Sequence, residues 1–243
     1  MSEMNDTYLY PYSVKDAKSR GELKLWRASY VENIGCKAAI EQAILRDFDG
    51  MSLKPDCAKR VIEEYGFKRV NFVLANTLRE LSHDGRFSRA HQEWGRRIYV
   101  PPDKQHNSDF TVTSHPAVLD GFINEARKAY QELGLFGPEH CAGSREVNYE
   151  GKVLILSPDT LKESCWSPQN QLWYAHDGFG GSPTAIGRSI RSTCLGDGEM
   201  TRWDRSDFIG ALDEQYLPDW AKPRLAELVG QTQAGPTING MTM

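Results

Sequence analysis

One change of spacing constrains this chain more than any motif in it. Up to about residue 135 the apolar residues recur every three to four positions, the period of a helix with one buried face. From about residue 152 they come as short runs, "KVLIL", "NQLWYAH", "GRSIRSTCL", "EMTRW" and "DFIGAL", separated by turn-forming residues. Helical segments followed by a series of strands define an α+β chain.

The helical half carries its own start and stop signals. Ser13 is placed to cap "VKDAKSR" and Gly21 to end it. Cys36, Ile40, Ile44 and Phe48 then form one apolar stripe. "DGMSLKP" interrupts, a helix restarts near Pro55, and Gly66 stands where a helix would close. In "KRVNFVLANTLRELS" the segment "VNFVL" also suits a strand, but Val70, Leu74, Leu78 and Leu81 share one helical face, which favours helix. Ser88 is placed to cap "RAHQEWGRRI". Ser114 is the expected cap of a further helix with Pro116 in its first turn, Gly134 past its end, and Val118, Phe122, Ala126, Ala129 and Leu133 as its buried stripe.

The predicted fold is therefore a mainly helical domain over 8–135 packed with a small antiparallel β domain over 152–229, either barrel-like or a strongly bent sheet, with a short closing helix. Residues 136–151 have no periodicity and read as a linker. Residues 230–243 hold almost nothing to bury and read as a disordered tail.

Charge narrows the classes of function. The chain has 243 residues and a net charge of −4. Residues 1–145 carry 21 Lys/Arg against 20 Asp/Glu, and residues 146–243 carry 8 against 13. Neither half has the basic excess of a protein that holds duplex DNA by its phosphates. No apolar run approaches the roughly 18 residues of a membrane span, and the polar start lacks the pattern of a secretory signal. The five cysteines, Cys36, Cys57, Cys141, Cys165 and Cys194, are odd in number and widely spaced, which argues against a disulfide framework or a zinc ribbon. A cytoplasmic protein with no cofactor and no metal is expected.

Chemistry concentrates in "WYAHDGFGGSPTAIGRSIRSTCLGDGEMTRWDRSDFIG", Trp173 to Gly210. A phosphate-binding loop fails there: five residues separate Gly181 from Gly187, arginine stands where lysine is needed, and Pro183 spoils the dinucleotide pattern. The glycines then serve β-turns, and Asp197–Gly198 predicts the tip of a hairpin with both central residues at positive φ. Arg188, Arg191, Arg202 and Arg205 flank that hairpin. With Trp173 and Trp203 they form a candidate recognition face for an anionic partner, or else an ion-pair network with Asp197, Glu199, Asp204 and Asp207. Asp197, Glu199 and Asp204 are also conceivable metal ligands. In the helical half Asn76, Asp84 and Arg86 are expected to cluster with Thr77 where one helix ends and the next begins, either as a binding surface or to satisfy helix-end amides. The histidines form no H-E-x-x-H or H-x-x-x-H pattern, and His115 stands at a helix start, where capping is its simplest role.

"YLYPYS", "GELKLWRASYVENIGCKAAIEQAI", "FDG", "RVNFVLANTLRE", "DGRFSRAHQEW" and "SHPAVLDGF" together resemble a domain of unknown function found in proteins of conjugative and phage-like mobile elements of gut anaerobes. The resemblance covers about residues 8–132. The segments "NQLWYAHDGFGGSPTAIGR" and "CLGDGEMTRWDRSDFIG" resemble a companion segment from the same kind of element. The family brings no catalytic residues to carry over. It implies a cytoplasmic accessory protein that binds a host or mobile-element protein without catalysis. An anti-CRISPR or antirestriction role, against a nucleoprotein defence complex, is its sharpest form. A single-stranded nucleic-acid-binding factor and a metal-dependent hydrolase or nuclease are the alternatives.

Overall fold

The computed structural model describes residues 8–143, 147–177, 179–184 and 189–233. The chain divides into two compact units, Met1–Glu132 and Leu133–Met243.

The first unit is helical: α1 (Val14–Arg20), α2 (Leu23–Asp47), α3 (Lys59–Glu80), α4 (Arg89–Arg97), the single turn α5 (Lys104–Asn107) and α6 (Pro116–Gln131). The expected caps at Ser13 and Ser88 form, each side-chain oxygen accepting a main-chain N–H three residues on. "VNFVL" is helical, and Gly66, at φ 77° and ψ 158°, breaks α3 as a glycine in that conformation must. The cap of α6 is His115 and not Ser114, and it makes no side-chain cap bond. Pro116 forces the residue before it into extended backbone, so the helix boundary falls one residue later than the serine suggests. The buried stripe of α6 is Leu119, Phe122, Ile123 and Ala126, rotated slightly from the one expected. Val118 and Ala129 lie at its margin, packed against a core formed chiefly by α2, α3 and α6, on which Trp94 of α4 also packs.

The second unit holds β1 (Val153–Leu156), the turn α7 (Pro168–Gln171), β2 (Leu172–Asp177), β3 (Ser189–Cys194), β4 (Met200–Asp204), β5 (Phe208–Ala211) and α8 (Lys222–Gln233). All neighbouring strands are antiparallel, in the order β4-β3-β2-β1-β5. β4 and β5 do not pair, so the sheet is open, with register shifts in the β1–β5 and β2–β3 pairs. Such shifts bend and twist strands. Both faces of the sheet are covered. Leu154, Leu156, Trp173, Ala175 and Ile190 pack on one with Tyr149 and Phe208. Ile155, Leu172 and Tyr174 pack on the other with Leu225, Leu228 and Val229 of α8.

Parts of the stretch read as linker are integral to this unit. Tyr149 is buried, and Cys141 bridges to Leu212. The buried amide of Gln171 joins the Phe136 main chain to β1: Phe136 N–H donates to Oε1 at 2.7 Å, and Nε2 donates to the Phe136 and Leu156 carbonyls at 3.1 Å each. α8 continues through Gly230 to Gln233, positions assigned above to the tail; residues 234–243 lie outside the described residues.

Candidate functional site

The β3–β4 hairpin positions the arginines. Cys194 N–H donates to the Glu199 carbonyl at 2.8 Å and Gly198 N–H to the Cys194 carbonyl at 3.0 Å, closing a four-residue loop. Gly198 has φ 84° while Asp197 keeps a negative φ, so the tip is not the two-residue turn expected from Asp-Gly. Instead Asp197 Oδ1 accepts the Glu199 N–H at 2.8 Å and shapes the loop through its side chain.

This register sets Arg191 directly opposite Arg202, and both are exposed. Asp177 of β2 stands opposite Arg191 on the other side. Directly opposed residues share a face of the sheet, and successive residues alternate. Ile190 and its partner Trp203 belong to the Tyr149 face, so Arg191 and Arg202 lie on the opposite one. The proposed arginine–tryptophan face is therefore split. Trp173 is 3 % exposed and is a core residue, with its indole N–H donating to the Asn170 carbonyl at 2.8 Å. Trp203 packs edge-to-face on it at 5.4 Å between ring centres, and its own indole N–H is buried with no hydrogen-bond partner among the described residues.

Arg205 separates from the other arginines for a different reason. Its guanidinium lies 3.6 Å from the Tyr149 ring centre and donates to the carbonyls of Gly181 at 2.9 Å and Val147 at 2.8 Å. It ties two loops together, which occupies the donors a partner would need. Arg188 lies outside the described residues.

The expected cluster in the helical unit also divides. Asn76 is buried one turn before the end of α3, and its Nδ2 donates to the Asn107 carbonyl at 2.8 Å. Thr77 is buried too, accepting the Val112 N–H at 3.0 Å. These are structural links to the end of α5 and the stretch after it. Asp84 and Arg86 instead form a surface turn: Arg86 Nε and Nη2 donate to the two carboxylate oxygens at 2.8 and 2.5 Å. The Arg86 fork holds the Asp84 carboxyl down at about 2. His115 Nε2 lies 3.4 Å from Arg86 Nη1, so the ring of this N-cap residue meets the turn and makes no cap bond to α6.

Ser88, His91 and Asp120 come together, but not as a nucleophile and its base. His91 Nδ1 is 2.6 Å from Asp120 Oδ1, while the Ser88 oxygen accepts the His91 main-chain N–H at the start of α4. Among the described residues no group of three His, Cys, Asp or Glu side chains is arranged to hold a metal, and no helix is long and apolar enough to cross a membrane. Burial raises the Cys57 thiol to about 11 and pushes those of Cys36 and Cys194 up as well.

Sequence patterning missed a cleft in the helical unit. Tyr10, Tyr12, Trp26, Tyr30, Asp103 and His106 are among its lining residues, and it encloses about 30 Å³. Trp26 stacks on Tyr30 at 4.9 Å and 12°, and the His106 ring stands edge-on to both. At its floor Asn33 Oδ1 accepts from Arg69 Nη1 at 2.5 Å, and Arg69 is itself 1 % exposed. A signal was present. Extending the α2 stripe backward from Ile40 and Cys36 at helical spacing lands on Asn33 and Ser29, polar residues on a core-facing stripe, and both are buried.

The fold and these sites describe a two-unit α+β protein, with an aromatic cleft in its helical unit and an arginine pair on its sheet. The family described as "protein of unknown function (DUF3849)" matches residues 9–131, and the chain belongs to that family. No curated protein and no solved structure matches the chain.

Proposed function

We propose that this protein is a non-catalytic accessory factor of a mobile genetic element, and that it acts by binding a host or element protein through the exposed Arg191–Arg202 face of its sheet. The reading rests on that cross-strand pair. Directly opposed on a β-pair, the two arginines lie on one exposed face of the sheet, where a carboxylate surface of another protein can meet both. Arginine forks suit carboxylates, so the determinant on the partner is a cluster of Asp or Glu side chains. A defence complex of the host is the sharpest candidate for such a partner.

The nucleic-acid alternative needs arginine and aromatic side chains along one groove. Arg191 and Arg202 stand on the other face from Trp203, and Trp173 is buried, which favours the protein partner.

The double variant Arg191→Ala, Arg202→Ala tests the reading. Exposed pairs contribute about 0–1 kcal/mol, so the fold should survive, while arginines central to an interface cost on the order of 2 kcal/mol each. Host proteins retained by the wild type and lost from the double variant support the reading. Salt-sensitive retention of single-stranded DNA that the double variant abolishes would replace it with the nucleic-acid alternative.

A further inference from the structure

The aromatic cleft of the helical unit has a chemistry of its own. Trp26 and Tyr30 stacked, with His106 edge-on, make one wall, and Tyr10 and Tyr12, 5.8 Å apart between ring centres, contribute to the lining. At the rim the Arg20 guanidinium already lies 3.8 Å from the Tyr12 ring centre, so an aromatic residue of this cleft holds a cation within the protein itself. Asp103 places a carboxylate in the lining. The phenols of Tyr10 and Tyr30 donate to Glu22 and Asp109, two carboxylates that flank the cleft without lining it. Burial together with those carboxylates pushes both phenols up to about 12, so they stay neutral donors at any physiological pH. Among the described side chains, Arg20 on Tyr12 and Arg69 on Asn33 are the cations that stand near these three acidic groups.

The polar side chains of Asp103 and Asn33 already hold partners within the protein. Asp103 Oδ1 is 2.9 Å from His106 Nδ1, its Oδ2 accepts the Val14 N–H at 3.4 Å, and Asn33 Oδ1 accepts from Arg69. A primary ammonium or a guanidinium brings three to five N–H donors that each need an acceptor when desolvated. A methylated ammonium brings fewer or none. It keeps its charge, presents an apolar surface to the rings and feels the carboxylates through space. The cleft is partly open to solvent and its inner space is too small for a nucleobase, so only a compact group can enter it, with the remainder of its ligand outside.

We propose that this cleft is a binding site for a methylated ammonium head group, carried either by a small quaternary amine or by a methylated lysine side chain. The full-length protein is titrated with choline, with N-acetyl-trimethyllysine amide and with the neutral isostere 3,3-dimethylbutan-1-ol, following the indole N–H resonance of Trp26 in the wild type and the heat of binding by calorimetry in the wild type and every variant. The cations should bind about tenfold more tightly than the isostere, and Trp26→Leu should abolish the difference. Preference for choline identifies a small-molecule site, and preference for the lysine derivative identifies a modified protein. Asp103→Asn leaves the rings in place and should weaken the cations alone, which keeps the proposal testable if Trp26→Leu does not fold. Equal affinity for the isostere, or no shift of Trp26 up to about 20 mM of either cation, a Kd corresponding to little over 2 kcal/mol, overturns it.

Discussion

Single residues in this protein do work that their type alone does not reveal. Gly198 is one, since a guanidinium nitrogen of Arg224 occupies the place a Cβ would take and φ is 84°. Gly198→Val should lower stability by about 1–3 kcal/mol, read by chemical denaturation, because a β-branched residue resists that backbone and Arg224 must also move. Asp84 is another. Its carboxyl is held at about 2 by Arg86, below the ordinary carboxylate value, so the turn it forms contributes fully above about pH 4 and loses that contribution as pH falls toward 2. An NMR titration should place the Asp84 midpoint near 2, and Arg86→Ala should return it toward the usual range. A midpoint near 4 in the wild type would mean the Arg86 fork does not form in solution.

At the level of elements, the two described arginines that bracket Trp203 have opposite roles. Arg205→Ala strands the Gly181 and Val147 carbonyls and removes the cover of Tyr149, which should cost on the order of 2–4 kcal/mol. Arg202→Ala should stay within about 0.5 kcal/mol, since the side chain is exposed. Equal losses in urea denaturation would undo this division. Sequence spacing alone could not assign these roles, because Arg202 and Arg205 look alike until the turn after β4 swings one toward the Val147 and Gly181 loops. What was legible is what local physics decides. Each of the five described strands falls on one of the short apolar runs, β2 and β4 ending one residue beyond theirs, and the serine caps of α1 and α4 and the break at Gly66 follow from side-chain and φ preferences. What was not legible depends on partners far along the chain. Tyr149 anchors a segment with no period of its own, and the aromatic cleft gathers residues 10–13, 26–33, 72 and 101–110 from four separate stretches.

At the scale of the whole molecule, each unit has its own interior. The largest buried cluster draws only on residues up to Ala129, and the two that sandwich the sheet draw only on residues from Phe136 onward. A fragment of residues 8–132 should therefore melt cooperatively with helical circular dichroism. A fragment without a cooperative transition would show that the helical unit needs the rest of the chain. The open sheet has a further consequence for how copies of the protein meet at high concentration. Ala142 N–H donates to the Ala211 carbonyl and Cys141 bridges to Leu212, so the β5 border is partly screened by its own chain, while no described strand pairs with the outer border of β4. Such a border is a template for another molecule's strand, and charge along it is what discourages growth from one sheet to the next. On β4 the exposed charges are Arg202 and Asp204, so the residue proposed to meet a partner is also one of the two charges that border carries.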